Sequence, residues 1–202
     1  MSAQLEPQPV PVAAQARHRG AFLEMLLSSM IGLVASLVLS IDAVALAANP
    51  DADLSCNINA KISCGAVGVT WQANLLGFPN AFIGLIAEPV VITLAVAALG
   101  GVRFPRWYLR TAQAVYAIGF LFALWLFYEA YFVIGALCPW CLTITVTTTL
   151  VFFSMTRVNI LEGNFGERIR DKLNYPLRVG ADSALAVLII AVLAAMVIVR
   201  YL

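Results

Sequence analysis

Five apolar runs divide this chain, and each is about as long as a membrane-spanning helix. The runs cover residues 21–41, 79–99, 111–134, 138–155 and 182–199. A helix needs roughly 20 predominantly apolar residues to cross the hydrocarbon core of a bilayer. Charged residues make up only 11% of the 202, whereas soluble domains have about 25%. The chain has too few charges to cover a water-facing surface, so we predict an all-α integral membrane protein.

The segments between the runs indicate the organisation of the chain. Residues 1–20 are polar and rich in proline, which predicts a disordered cytoplasmic tail. Residues 42–78 are too many for an ordinary connector and predict a functional outer loop. The first four runs, within residues 21–156, predict a four-helix bundle. Residues 157–178 are charged and predict a cytoplasmic loop, and residues 179–202 predict a fifth transmembrane helix.

A cleavable signal peptide is the alternative interpretation of the first run. Arg17 and Arg19 would form its basic region, and Ala45-Leu46-Ala47 resembles a cleavage site. The apolar part of a signal peptide is typically about 7–15 residues long. The first run is longer, which favours a retained helix.

The basic residues predict the orientation in the membrane, because cytoplasmic connections carry an excess of Lys and Arg. With the N-terminus in the cytoplasm, ten of the twelve Lys and Arg residues are cytoplasmic and only Lys61 and Arg200 lie outside. This topology puts the C-terminus and all four cysteines on the outer face, where disulfides persist. A net charge of +1 gives no indication of nucleic-acid binding, so the lipid bilayer is the expected environment.

The four cysteines form two pairs on that face. Cys56 and Cys64 lie in the outer loop, and Cys138 and Cys141 lie where the fourth run begins. A helix that starts there would have Cys138 near its N-cap, Pro139 in its first turn and Cys141 one turn further on the same face. Helix N-termini favour thiolates, and a short loop gains little stability from a disulfide. A mobile loop pair beside a fixed pair therefore predicts a thiol–disulfide relay.

Three other interpretations of the cysteines remain open on residues alone. The first is a non-catalytic membrane scaffold with two structural disulfides. The second is a four-cysteine zinc site, but such sites usually have two to four residues between the cysteines of each half, and Cys56 and Cys64 have seven; we expect no metal. The third is a carrier that sends electrons outward, which would need a cytoplasmic thiol pair that the sequence does not provide.

The sequence resembles bacterial members of the vitamin K epoxide reductase family from about residue 22 to residue 155. The resemblance rests on the first run, on Cys56-x7-Cys64 with Trp71 after it, on Leu76-Gly77-Phe78-Pro79-Asn80-Ala81-Phe82-Ile83-Gly84-Leu85, and on Cys138-Pro139-Trp140-Cys141. It implies a four-helix bundle around a quinone headgroup, near the outer surface of a bacterial inner (plasma) membrane. Many members carry a fused thioredoxin-like domain, which is not expected here.

The resemblance also implies an activity and a role for each cysteine. Bacterial members are thiol–disulfide oxidoreductases that reoxidise a thioredoxin-fold, DsbA-type partner, here expected to be a separate protein. They pass the electrons to membrane quinone, which is menaquinone or ubiquinone, and so support disulfide formation in secreted proteins. By position, Cys56 would exchange with the partner and Cys64 would reach Cys138. Cys141 would face the quinone ring.

The resemblance implies quinone contacts at two further positions. Asn80 matches a family position that hydrogen-bonds a quinone carbonyl. Thr145 stands where vertebrate members have a tyrosine, and its hydroxyl has a shorter reach.

Asp42 and Glu129 lie near the outer ends of their runs, so either could move the protons that quinone reduction requires. An interfacial or paired carboxylate is the simpler interpretation of both.

Overall fold

Helices dominate the computed structural model, which describes the backbone of residues 12–201 and the side chains of residues 19–200. The α-helices are α1 (Val12–Ala48), α2 (Cys64–Gly68), α3 (Ala81–Leu99), α4 (Arg106–Tyr128), α5 (Pro139–Leu161), α6 (Glu167–Arg178) and α7 (Ala181–Tyr201). A 3₁₀ turn covers Trp71–Asn74, and a π-helix continues α4 over Glu129–Ile134. The described backbone contains no strand, and an isolated parallel bridge joins Ile62 to Leu137.

Five helical segments are long and apolar enough to cross a membrane. They are Arg19–Ala48, Ala81–Leu99, Arg106–Ile134, Pro139–Leu161 and Ala181–Arg200. Large apolar side chains such as Ile86, Ile118 and Val199 are exposed on their outer surfaces, where lipid tails would cover them. The predicted all-α membrane architecture is confirmed.

The first four spans form the bundle, and α7 packs on its outside. α1 packs along both α3 and α5, α4 packs against α5, and α7 contacts α5. The approach of α1 and α3 depends on glycine, since a Cβ on Gly84 would clash with the Ser36 side chain. Small residues allow helix backbones to come close in membranes, where packing rather than hydrophobicity drives helix association.

Helix α1 begins earlier than the sequence predicted. The predicted tail covered residues 1–20, but the helix starts at Val12. Ala13, Ala14 and Ala16 are strong helix formers, and this propensity outweighs the polar character of the segment. Residues 1–11, on which the rest of the predicted tail falls, lie outside the described residues.

Helix α5 ends later than the sequence predicted. It continues from 155 to Leu161 because its last polar side chains find partners on α4. The Gln113 Nε2 donates to the Thr156 Oγ1 at 2.9 Å, and the Asn159 Nδ2 donates to the Leu109 carbonyl at 3.2 Å. The predicted loop 157–178 therefore contains the end of α5 and the whole of α6.

The two ends of the bundle differ in chemistry. The end with the four cysteines, called the cysteine end below, also holds Arg200 of α7, whose guanidinium lies 4.5 Å from the centre of the Tyr131 ring. The opposite end, called the basic end, holds the α3–α4 connection and α6. There the Arg157 guanidinium makes two hydrogen bonds to the Asp182 carboxylate, at 3.0 and 3.1 Å, which join α5 to α7.

Candidate active site at the cysteine end

The two cysteine pairs meet in space. Cys56 and Cys64 form a disulfide, with their Cα atoms 5.6 Å apart, while Cys138 and Cys141 are free thiols. The Cys138 Sγ lies 3.2 Å from the Cys64 Sγ. Thiol–disulfide exchange proceeds by attack of a thiolate on a disulfide sulfur, and this contact puts the attacking and attacked atoms side by side.

Backbone hydrogen bonds hold the two pairs in register. The Ser63 N–H donates to the Leu137 carbonyl at 3.0 Å, and the Leu137 N–H donates to the Lys61 carbonyl at 2.9 Å. The bridged residues are Ile62, two positions before Cys64, and Leu137, immediately before Cys138. Their pairing therefore brings Cys64 against Cys138. The sequence predicted a mobile loop pair; in this redox state the loop is already fixed at the contact.

The side chain of Asn57 closes the loop around the disulfide. Its Oδ1 accepts hydrogen bonds from the Ser63 Oγ at 2.9 Å and from the Gly65 N–H at 3.0 Å. Ser63 in turn caps α2, because its Oγ accepts from the Ala66 N–H at 3.1 Å. Cys64 is therefore held at the first position of a capped helical turn.

Cys138 is the N-cap of α5 and Pro139 follows at the helix start, as predicted. Gly135, in the left-handed region with φ of 74°, ends the π-helix and allows the sharp turn into this cap. The hydrogen bond from the Cys141 thiol, aided by the backbone N–H groups of Cys141 and Trp140, lowers the pKa of Cys138 against the opposing effect of burial. The thiolate is the reactive form, so Cys138 is the better nucleophile of this pair.

A cavity of about 500 Å³ extends from the cysteines into the bundle. Residues of α1, α3, α4 and α5 line it, and the lining is almost entirely apolar. Cys138 and Cys141 line it at the cysteine end, and Glu88 and Tyr116 line it further along α3 and α4. The Tyr116 hydroxyl donates to the Glu88 Oε2 at 3.0 Å, which joins α4 to α3.

Asn80 lines the same cavity with an amide that is only partly satisfied. Its Nδ2 donates to the Gln72 carbonyl at 2.6 Å, and its Oδ1 is buried without a partner among the described residues. A buried polar atom without a partner costs about 1–3 kcal/mol and is rare in native structures. Such an atom on a cavity wall is suited to a polar group of a ligand.

The family assignment follows from these residues taken together. The sequence profile of the vitamin K epoxide reductase family matches residues 23–156, which include all four cysteines, Asn80, the second and third spans and most of the first and fourth. The chain belongs to the vitamin K epoxide reductase family. Its members are membrane thiol oxidoreductases, and the free thiols beside a disulfide are consistent with that activity. No individual curated protein matches the chain at a significant level.

Thr145 lies one helical turn beyond Cys141 and lines the cavity. It is buried, and its Oγ1 donates to the Cys141 carbonyl at 3.0 Å. The hydroxyl proton is therefore already engaged, so in this arrangement Thr145 can accept a hydrogen bond from a ligand but not donate one.

Sequence reasoning missed Gln72, which belongs to the 3₁₀ turn and is buried. Its Nε2 donates to the Glu129 Oε2 at 3.1 Å, and its carbonyl accepts from Asn80. Gln72 thus ties the outer loop to the π-helix and orients the Asn80 amide. A glutamine in a polar segment carries no signal of burial, so only its neighbour Trp71, part of the family resemblance, pointed to this turn.

Proposed function

We propose that this chain is a quinone-dependent thiol oxidase that reoxidises a separate thioredoxin-fold, DsbA-type protein. The 3.2 Å contact between the Cys64 and Cys138 sulfurs carries the proposal. A disulfide and a dithiol in direct contact can exchange electrons with no further carrier. A scaffold with two structural disulfides would need no such contact, and the Cys138 and Cys141 thiols are free.

The relay passes electrons from the loop pair to the helix pair. A partner thiolate bonds to the Cys56 sulfur and releases Cys64; the second partner thiol then closes the partner's own disulfide, which leaves Cys56 and Cys64 reduced. Cys64 attacks Cys138 of the Cys138–Cys141 disulfide, and Cys56 then displaces Cys138 from Cys64. The loop disulfide is restored, and two electrons remain on Cys138 and Cys141. The observed redox state corresponds to the end of this exchange.

The cavity supports a quinone as the electron acceptor. A quinone takes up two electrons and two protons, and Cys141 lines the cavity from which they would be delivered. The Asn80 amide keeps one N–H that Gln72 does not use, which could donate to a quinone carbonyl, and its free Oδ1 could accept from a quinol hydroxyl. The apolar lining of the cavity suits a quinone ring and a lipid-soluble tail. Menaquinone and ubiquinone both have such a ring and such a tail.

The location of the two ends supports an orientation in a bacterial inner membrane. The basic end, with Arg103, Arg106 and Arg157, would face the cytoplasm by the excess of positive charge on that side. The cysteine end would face outward, where the partner and its substrates are oxidised. Trp71, Leu76 and Phe78 are exposed at this end and would lie at the membrane surface.

The decisive experiment is anaerobic quinone reduction by the purified protein, with a reduced DsbA-type protein as donor. Absorbance should report one quinol formed for each partner disulfide, and omission of either the protein or the partner should stop the reaction. If menaquinone and ubiquinone both stay oxidised while the donor is in excess, the proposed acceptor is wrong.

The order of the relay has its own test. Incubated with the oxidised partner, Cys64→Ser should accumulate a mixed disulfide between Cys56 and the partner, because the Cys56 thiolate opens the partner disulfide and no Cys64 thiol remains to displace the partner. Cys56→Ser is the matched control and should trap no partner. An adduct at Cys138 in place of Cys56 would reverse the proposed order.

A further inference from the structure

The carboxylate of Asp42 lies beside the loop disulfide, and the relay described above gives it no task. Asp42 stands near the outer end of α1, with its Oδ2 3.5 Å from the Cys56 Sγ. A carboxylate oxygen and the sulfurs of Cys56 and Cys64 all lie within 4.8 Å of one another. Because the two sulfurs are bonded to each other, neither is available as a thiolate ligand for a metal in this state.

The contact between Asp42 and Cys56 has a different meaning in each redox state. A disulfide sulfur has no proton, so the 3.5 Å approach is only a van der Waals contact here. When Cys56 is a thiol, the same geometry puts an S–H donor beside a carboxylate, and an ionised carboxylate only accepts hydrogen bonds. Asp42 is thus placed to take up a proton only while Cys56 is reduced.

Cys56 must lose a proton in the step that restores the loop disulfide. Before that step Cys64 is bonded to Cys138, and Cys56 is a thiol. The Cys56 sulfur forms a bond to Cys64, the Cys64–Cys138 bond breaks, and its electron pair leaves on Cys138. The nucleophile is the thiolate, and Cys56 is only 5% exposed, so bulk water has little access to its proton.

We propose that Asp42 is the proton acceptor for Cys56 in this internal exchange. This inference rests on the proposed relay. The Cys56 and Cys64 sulfurs lie beside the Asp42 carboxylate, its charge acts on Cys138, and none of the ion pairs found among residues 19–200 includes it. Its carboxylate is therefore not neutralised by a cation and is available to a proton.

The proton transfer would also favour the leaving group. The negative charge of Asp42 opposes a thiolate at Cys138 and raises the pKa of Cys138, against the stronger lowering by Cys141. Once Asp42 holds the Cys56 proton it is neutral, and this repulsion is removed at the moment when Cys138 takes up the electron pair. One side chain then serves both the attacking and the departing sulfur.

Internal exchange can be measured without quinone or partner. The oxidised protein receives one equivalent of dithiothreitol, samples are quenched in acid over time, and free thiols are alkylated after denaturation. Peptide mass spectrometry then gives the fractions with Cys64 bonded to Cys138 and with Cys64 bonded to Cys56. The wild type, Asp42→Asn, Asp42→Glu and the control Asp53→Asn are compared from pH 6 to pH 9. Asp53 is an exposed carboxylate in the outer loop that holds Cys56.

Asp42→Asn should accumulate the Cys64–Cys138 form and resolve it about 100-fold more slowly at pH 6, the lower range for loss of a general base. The defect should shrink as pH rises, because hydroxide then ionises Cys56 directly. Asp42→Glu, which keeps the carboxyl, should recover part of the rate, and Asp53→Asn should match the wild type. The conservative Glu variant also keeps the test valid if the Asn variant folds poorly.

Two results would overturn the proposal. An Asp42→Asn protein with the wild-type pH profile and no accumulated Cys64–Cys138 form would show that the carboxylate is only structural. Faster exchange at pH 6 would show that Asp42 merely repels thiolates. If the wild type exchanges normally but never reduces quinone, the proposed acceptor fails while the role of Asp42 stands.

Discussion

The cysteine end and the basic end of the bundle satisfy their polar groups in opposite ways. At the basic end Asn159 is fully buried, and its Nδ2 has the carbonyls of Leu109 and Met155 within 3.2 Å. Its Oδ1 accepts from Asn164, so both atoms of the amide are occupied. At the cysteine end the Asn80 Oδ1 is buried without a partner among the described residues, and the free thiol of Cys138 touches the loop disulfide.

This difference separates side chains that stabilise the fold from side chains that keep a polar or reactive group free for a ligand or a reaction. A buried amide with all its bonds made stabilises one arrangement of the helices. A buried amide with an open acceptor is a cost that a ligand could remove. We therefore expect substitutions at the basic end to change stability, and substitutions at the cysteine end to change turnover.

The largest expected effect is loss of Cys141. Cys141→Ser should lower quinone reduction at least about 1,000-fold, as removal of an essential nucleophile does, because the helix pair can no longer form a disulfide. Its melting temperature should stay close to that of the wild type, since serine is nearly isosteric. Quinone turnover that survives in this variant would remove Cys141 from the proposed site.

A large effect on stability is expected at the basic end from Asn159→Ala. The variant removes the hydrogen bonds that Asn159 makes with the Leu109 carbonyl and the Asn164 amide, which should lower the free energy of unfolding by about 1–3 kcal/mol. Thermal unfolding in detergent measures this, and the KM for quinone should not change. Asn174→Ala on the surface helix α6 is the control. A change in KM at Asn159 would break the distinction between the ends.

A smaller effect on turnover is expected from Asn80→Asp. This change keeps the shape and an acceptor but removes the amide donor, so the KM for quinone should rise about fivefold to tenfold, the equivalent of one hydrogen bond. Initial rates at several quinone concentrations measure it. Exchange between the loop pair and the partner is the internal control, because Asn80 does not contact any cysteine sulfur by hydrogen bonding.

The smallest expected effect concerns Glu162, after the end of α5. Burial raises the pKa of its carboxyl, against lowering by the Asn164 hydrogen bond and the charge of Arg103. Below the unfolded-state pKa the group is protonated in both states; as pH rises through the folded pKa, the folded state acquires a poorly solvated charge and loses stability. Glu162→Gln should raise stability at pH 7 by less than about 1 kcal/mol and change nothing at pH 4. A gain at both values would contradict this cause.

Much of this architecture could be predicted because membranes impose simple rules. Apolar length determined the five spans, and Pro139 after Cys138 marked the start of α5. The ends of helices were harder to predict where polar residues continue a span. Thr156 and Asn159 interrupt the apolar pattern of α5, and only their bonds to α4 explain why the helix continues.

The site was predictable in its cysteines and not in their surroundings. Spacing and family resemblance single out the four thiols, but a sequence does not show that Cys64 touches Cys138. That contact depends on a backbone bridge between segments more than seventy residues apart. Gln72 escaped notice for a related reason, since its role comes from Glu129, a partner far away in the sequence.

The backbone bridge between Ile62 and Leu137 also limits which substitutions these segments could tolerate in related sequences. Two main-chain hydrogen bonds set the position of Cys64 against Cys138, and they use no side-chain atom. On backbone grounds the positions whose N–H groups donate, Ser63 and Leu137, exclude only proline. Lys61 gives only its carbonyl and is exposed, so its side chain is open to substitution. A homologue could vary at this position and still hold the same two sulfurs in contact.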